Sequence, residues 1–442
     1  MTTTAARTRF DALIVGAGPA GSAAAILLAR AGWAVALVEK QAFPRRKVCG
    51  ECIAASNLPL LATLGVADAV ETLAGPPLRQ VALHLGDRVV TADLPAAADA
   101  AHRWGRALGR ETLDTLLLER ARAEGAEVLQ PWQVQNFQGT PGAWHVELRA
   151  AESAALRRLR ACLVIDAHGS WEGLPSARLQ RRLARSAGDL FAFKANFSGA
   201  AVREGVIDVL ALQGGYGGMV VADSGITTLA CCIRRDRLLS LRAAAPGLRA
   251  GDAVQAWLQA QCGAVRRALQ GATLQDAWLA AGPLDPGVHL RQGDAVFSIG
   301  NAAGEAHPIL GEGMSMALQS AALLCGHLTG ASTPASGAAT VPAGALHAGL
   351  QRQYAAAWQR EFGPRMRLAA LFAHLAMRPA PAVGLMAALR LWPGLLTQGA
   401  RWGGKVQAPS AQLGHSSGHP LTPAKPPSAA PTLTQAASAD MP

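Results

Sequence analysis

The stretch Asp11-Ala12-Leu13-Ile14-Val15-Gly16-Ala17-Gly18-Pro19-Ala20-Gly21 decides the fold. A short apolar run ends at a glycine-rich turn, and Ser22 to Ala31 continues as an alanine- and leucine-rich helix former. Gly32 stands where a helix C-cap belongs, Trp33 to Val38 reads as a second apolar strand, and Glu39 follows at its end. Each glycine has a physical task. Gly16 permits the sharp turn from strand to helix, Gly18 removes the side chain that would keep the backbone from a pyrophosphate, and Gly21 lets helix and strand pack closely. The phosphates then sit at Pro19 and Ala20, where free N–H groups and the helix dipole favour negative charge. Glu39 is placed to accept from the ribose hydroxyls of an adenosine, with Lys40 beside it as a further cofactor contact. Strand, turn, helix, strand and acid together point to a bound dinucleotide, without separating FAD from NAD.

Far downstream, Ala295 to Gly304 reads as a strand ending in a turn of small residues, with Gly300 and Asn301 at the strand end. Pro308, Gly311, Gly313 and Met314 follow and open a second helix, Ser315 to Leu324. A turn without bulky side chains and with one polar amide suits a ribityl chain and a flavin ring edge. The N–H groups near Gly313 and Met314, at a helix start, suit the flavin's pyrimidine oxygen.

These two turns resemble, over about residues 8 to 330, those of FAD-dependent oxidoreductases of the p-hydroxybenzoate hydroxylase type, including the geranylgeranyl reductases. The resemblance implies an α/β fold, a glutathione-reductase-like FAD-binding Rossmann domain interleaved with a β-sheet substrate domain, plus C-terminal helices. It implies that Arg110, in Arg110-Glu111-Thr112-Leu113-Asp114, lies beside FAD, and that Val134 gives a backbone contact to adenine. Asn301 takes the place of the family's aspartate on the ribityl chain. Pro44 to Cys52 resembles the Lys-x-Cys-Gly segment of geranylgeranyl reductases; there Arg45, Arg46 and Lys47 can neutralise pyrophosphate. Cys49 and Cys52 read either as a redox pair beside cations or as small packing groups. His168 precedes Gly169 where the family's hydroxylases carry Asp-Gly, which leaves NAD(P)H open as electron donor. His307-Pro308 falls where the family's proline covers the flavin, and the Trp-x-Trp-x-Ile-Pro motif of flavin halogenases is absent.

Around these motifs, residues 79 to 94 alternate about Gly86-Asp87 as a hairpin, and Glu111 to Glu124 forms an amphipathic helix. Val128 to Phe137, Trp144 to Arg149 and Ala161 to Ala167 read as strands. Met219 to Ile233 reads as a strand pair turned at Asp223-Ser224-Gly225. The FAD-binding domain is expected from 1 to 78, 95 to 185 and 285 to 330, with a substrate domain from 79 to 94 and 186 to 284. A linker at 331 to 343, helices over 344 to 405 interrupted at Pro379, and a disordered tail from 406 to 442 complete the chain.

Half of the 442 residues are hydrophobic and 16% are charged, as in a globular enzyme, yet the net charge is +11. The basic runs at Arg157 to Arg160 and Arg181 to Arg185 lack interleaved aromatics, so no nucleic-acid partner is expected. Seven irregularly spaced cysteines form no disulfide framework. Without a signal-peptide core in Met1 to Phe10 or a spanning apolar run, the expectation is a cytoplasmic protein. The segment 382 to 405 pairs Leu385, Met386, Leu389, Leu391 and Trp392 with Arg390, Arg401 and Lys405. It can pack on the main body, cap an apolar tunnel, or rest on an anionic membrane. No catalytic side chain or metal site is assigned. Functionally the motifs favour oxygen transfer to a lipophilic or aromatic small molecule, with reduction of isolated double bonds in a lipid as the alternative. A flavin-binding protein without turnover is a third reading, kept open by His168 and Asn301.

Overall fold

Arg9–Val15 lies inside a parallel sheet, in a computed structural model that describes residues 7–170, 186–290, 295–331 and 344–405. Across this sheet the order is Glu127–Leu129, Val35–Val38, Arg9–Val15 and Leu156–Asp166, with Phe297–Ser298 beside the end of the last. Every parallel neighbour needs a crossover, and the helix Pro19–Arg30 supplies the first. It is alanine-rich on its inner side, where Ala23, Ala24, Ala25 and Ile26 are fully buried. Small side chains let Arg110–Ala123 and Gly313–Ala331 pack beside it in one core. The opposite face carries Phe10, Leu13, Trp144, Val146 and Leu148 under an antiparallel meander of Trp132–Thr140, Ala143–Ala150 and Leu156–Asp166. The segment expected as one strand over Val128 to Phe137 is broken at Gln130-Pro131. The turn lets Glu127–Leu129 join the parallel sheet while Trp132–Thr140 starts the meander.

Among the described residues the second sheet has eight strands. Gln80–Leu85 and Arg88–Asp93 form the expected hairpin, and Gln80–Leu85 pairs in parallel with Val206–Leu212. Gly215–Val221, Thr227–Arg234 and Leu190–Ser198 continue antiparallel, with the turn at Asp223–Gly225 as read from the sequence. Alternation along Leu190–Ser198 divides the two faces. Phe193, Ala195 and Phe197 meet Trp257, Leu258 and Val265 of the covering helices, while Ala192 and Lys194 look back toward the first sheet.

Gly344–Ala376 sinks Tyr354, Trp358 and Phe362 into the main core and passes through Pro364 unbroken. Pro379 does end it, because the residue before a proline is driven out of helical geometry: Arg378 is extended, and Pro379–Leu391 and Gly394–Trp402 follow as separate helices. The linker from 332 on, the tail after 405 and the Arg181 to Arg185 run lie outside the described residues. Among the described residues no single helix is long and apolar enough to cross a membrane.

Candidate functional site

A cavity of about 600 Å³ lies between the two sheets. Its first end is built by the turn after Arg9–Val15. Gly16 has φ +102°, and a Cβ there would stand 2.5 Å from the carbonyl oxygen of Ala167. A Cβ on Gly21 would overlap the carbonyl oxygen of Gly16, so Gly21 serves packing and does not line the cavity. Gly18 does line it. Its missing Cβ would stand 3.7 Å from Arg110 Nη2 and 3.9 Å from Arg45 Nη2. Two guanidinium groups over bare backbone at the start of a helix form a receptor for a diphosphate.

Glu39 is buried and accepts the Ala17 N–H at 3.0 Å and the Gln41 N–H at 3.0 Å, with Arg45 Nη2 3.4 Å away. The acid at the strand end therefore also fixes the glycine turn. Arg45 keeps Nε and Nη1 buried without a hydrogen-bond partner among the described residues, and so does His168 at Nε2. Both side chains line the cavity. The Arg45 N–H groups are donors, and unmet buried donors are rare unless something else satisfies them, as an anionic cofactor group can. Burial lowers the Arg45 pKa against the pull of Glu39 and Asp114. Burial, then the Arg45 charge, lowers the Lys47 ammonium to about 8.

Arg110 donates from Nε and Nη2 to the two oxygens of fully buried Asp114, both at 2.7 Å, with Arg45 3.6 Å from the same carboxylate. The Arg-x-x-Leu-Asp spacing places Arg110 and Asp114 one helical turn apart, which is why they meet. Lys40, Trp132, Gln133 and Val134 line the same end. Arg46 turns away to Asp276, 3.4 Å off, and is not part of the lining.

Gly300, Asn301, Gly311, Gly313 and Met314 line the same cavity, and a Cβ on Gly300 would stand 3.0 Å from Ala20 Cβ, so the second turn lies against the first. Gly300 has φ +59° and donates its N–H to Ser320 Oγ at 2.8 Å. Asn301 Nδ2 donates to Ser170 Oγ at 2.8 Å, and Ser170 Oγ donates to buried Glu305 at 3.1 Å. An aspartate at 301 would set two carboxylates on one hydroxyl proton, so this chain of donors specifies the amide. The two glycine turns thus converge on one groove, and the residues that line it fit FAD.

Cys49 and Cys52 both line the cavity, and both thiols are free. Cys49 Sγ accepts the Glu51 N–H at 3.3 Å. Burial raises the Cys52 pKa to about 11, which keeps it a neutral thiol rather than an exchanging thiolate. Glu51, between them, is a residue that motif reading passed over. It adopts φ +59°, is buried, and gathers the Lys194 ammonium, the Thr228 hydroxyl and the Arg110 N–H on its carboxylate. It ties the loop beside the cavity to the second sheet. The only sequence signal was a lysine and an asparagine interrupting the apolar strand Leu190–Ser198.

Another wall of the cavity is largely apolar. Val81, Leu83, Ile207, Val209 and Ala192 come from the second sheet, and Leu385, Leu389, Leu395 and Leu396 from the last two helices. Two of the outcomes open to the C-terminal segment are present together: Met386 and Leu389 pack on the main body with Leu83, Val90 and Ala376, and Leu385, Leu389, Leu395 and Leu396 cap the cavity. Thr397 Oγ1 donates to the Asp93 carbonyl at 2.7 Å, Ser56 Oγ to the Gly404 carbonyl at 2.7 Å, and Lys405 Nζ lies 3.1 Å from Glu312. One polar group stands out on the wall. Buried Tyr216 has its hydroxyl 3.3 Å from His307 Nδ1, and burial drives its pKa well above 10. Burial, with His374 nearby, lowers the His307 pKa to about 4, so this histidine is neutral at pH 7.

Residues 9–210 match the FAD binding domain family. The menaquinone reductase of Mycolicibacterium smegmatis is 34% identical over 122 residues, 28% of this chain and 29% of that protein. The tryptophan 2-halogenase of Chondromyces crocatus is 36% identical over 118 residues, 27% of this chain and 22% of that protein. The chain thus spans less than a third of the length of these two relatives. Among solved structures, the myxobacterial chondrochloren halogenase CndH superposes with TM-score 0.70 at 19% identity, over 89% of this chain and 91% of that one. A geranylgeranyl bacteriochlorophyll reductase-like protein from Thermoplasma acidophilum superposes with TM-score 0.67 at 16% identity, over 85% and 90%. At these identities the superpositions establish the fold.

Proposed function

We propose that this chain, which belongs to the FAD-dependent oxidoreductase superfamily, transfers oxygen to a lipophilic or aromatic small molecule held between the FAD groove and the C-terminal helices. The observation that carries this reading is the continuity of the groove with an apolar chamber roofed by Leu385, Leu389, Leu395 and Leu396. FAD, when bound, supplies the electron transfer and the activation of oxygen, recharged by a donor such as NAD(P)H. The protein's own contribution is placement and exclusion of water. Aliphatic side chains desolvate the substrate, and the ion pair between Glu51 and Lys194 holds the cavity loop against the second sheet. Tyr216 remains protonated and can hydrogen-bond a polar group on the substrate, with neutral His307 behind it.

Reduction of isolated double bonds is the second reading, favoured by the position of Lys47, Val48, Cys49 and Gly50 along the cavity. Purified protein, FAD, NAD(P)H and a panel of aromatic and prenyl compounds under isotopically heavy oxygen decide between them. Label in the product supports oxygen transfer. An unlabelled product gaining two hydrogens, formed equally well without oxygen, overturns it in favour of reduction.

A further inference from the structure

The same helices that roof the cavity carry on their outer side an apolar surface that nothing among the described residues covers. Leu391 is 71% exposed, Trp392 64%, Trp402 65% and Leu395 46%. Scattered exposed aliphatics are ordinary, but two exposed tryptophans and two leucines within twelve residues form a concentrated patch. The surrounding charge has one sign. From Phe362 to Lys405 the sequence holds six cations (Arg365, Arg367, Arg378, Arg390, Arg401 and Lys405) and neither aspartate nor glutamate. Arg365 and Lys405 pair inward, with Glu361 and Glu312, whereas Arg367, Arg378, Arg390 and Arg401 are exposed. Arg390 directly precedes Leu391-Trp392, and Arg401 directly precedes Trp402.

Tryptophan beside arginine on short surface helices is the chemistry of a water–lipid boundary. The indole ring sits at headgroup depth, the aliphatic neighbours enter the acyl region, and each cation gains from anionic lipid phosphates. A spanning role is excluded for Gly344–Ala376, since its Tyr354, Trp358 and Phe362 belong to the protein core. What remains for lipid is the outer side of Pro379–Leu391 and Gly394–Trp402. Leu395 and Trp402 are partly exposed and also line the cavity, so the patch borders the rim of the chamber.

We infer that the Leu391–Trp402 surface docks this protein on an anionic lipid bilayer, with the cavity rim at the lipid boundary. On the functional reading above, this placement lets an apolar substrate pass from bilayer to chamber without crossing water. The docking itself does not depend on that reading, and its test requires no turnover.

The full chain loaded with FAD is sedimented with phosphatidylcholine vesicles and with vesicles containing one third phosphatidylglycerol. The comparison is a Leu391→Ser/Trp392→Ser double variant, since neither residue lines the cavity. The parent should partition onto the anionic vesicles, less onto the neutral ones, and less as salt is raised. The double variant should bind roughly tenfold or more weakly, as follows from withdrawing two large apolar groups. Its FAD absorbance spectrum should be unchanged, which shows that it is folded. Lipids brominated in the acyl chains should quench fluorescence in the parent more than in Trp392→Phe. Failure of the parent to bind anionic vesicles overturns the inference, as does equal binding by the double variant. Concentration-dependent dimerisation of the parent, abolished in the double variant without any lipid binding, overturns it in favour of a second copy of the chain.

Discussion

Replacing Arg110 with leucine separates two duties of one guanidinium. Inward, it holds both oxygens of Asp114, a carboxylate with no exposed surface. Removing one partner of a buried ion pair costs about 3–5 kcal/mol, because the remaining charge stays dehydrated. Arg45 remains 3.6 Å from Asp114, so the lower end applies, about 3 kcal/mol. Outward, Arg110 faces the bare backbone of Gly18, where a charge-assisted hydrogen bond to phosphate contributes about 1.5–3 kcal/mol. That corresponds to roughly a tenfold to hundredfold rise in the FAD dissociation constant. Thermal midpoints and FAD fluorescence titrations of Arg110→Leu, Asp114→Leu and the double variant distinguish the two effects. The double variant should recover most of the midpoint lost in Arg110→Leu, since the stranded carboxylate is gone, while FAD affinity stays low. A double variant no more stable than Arg110→Leu would refute the buried-charge argument. Unchanged FAD affinity in Arg110→Leu would refute the phosphate contact.

Lys47, lowered to about 8 by burial and neighbouring cations, should regain a higher pKa when a diphosphate enters beside it. Below about pH 8 it is protonated with or without FAD, and affinity is flat. Above that, binding takes up a proton, so affinity should fall as pH rises from 8 to 10, and a Lys47→Met protein should lack this slope. In Gly21→Ala the new methyl group overlaps the Gly16 carbonyl, so the purified protein should carry little FAD by absorbance and melt earlier by about 1–3 kcal/mol of lost stability; a fully yellow, equally stable variant contradicts the packing account. For His307, the folded pKa of about 4 lies below the unfolded 6.5. The stability of its neutral form is present above pH 6.5 and drains away as pH falls to 4. The difference of 2.5 amounts to about 3 kcal/mol. His307→Asn should flatten the acid limb of the melting curve over that window, and an unchanged limb would show that other groups dominate it.

The amino-acid order by itself determined the nucleotide-binding unit. Gly16, Gly18, Gly21 and Glu39 act through backbone turns and a helix start contained in one strand-helix-strand unit, and Arg110 meets Asp114 across a single helical turn. Local steric and dipolar rules of that kind are written in neighbouring residues. The Gly300 to Met314 turn was legible for the same reason, as were the Gly86-Asp87 hairpin and the Asp223–Gly225 turn. The meetings across long separations come from the packing of the finished fold. Glu51 gathers Lys194 and Thr228, Tyr216 reaches His307, and Ser56 anchors Gly404. Arg45 and Arg46 are neighbours in sequence, yet one faces the cavity and the other Asp276. No periodicity encodes such outcomes, because they depend on which strand edge and which helix face the completed sheets bring together. The C-terminal helices make the same point: composition showed them greasy and basic, but only packing could assign one side to the cavity and leave the other uncovered by the described residues.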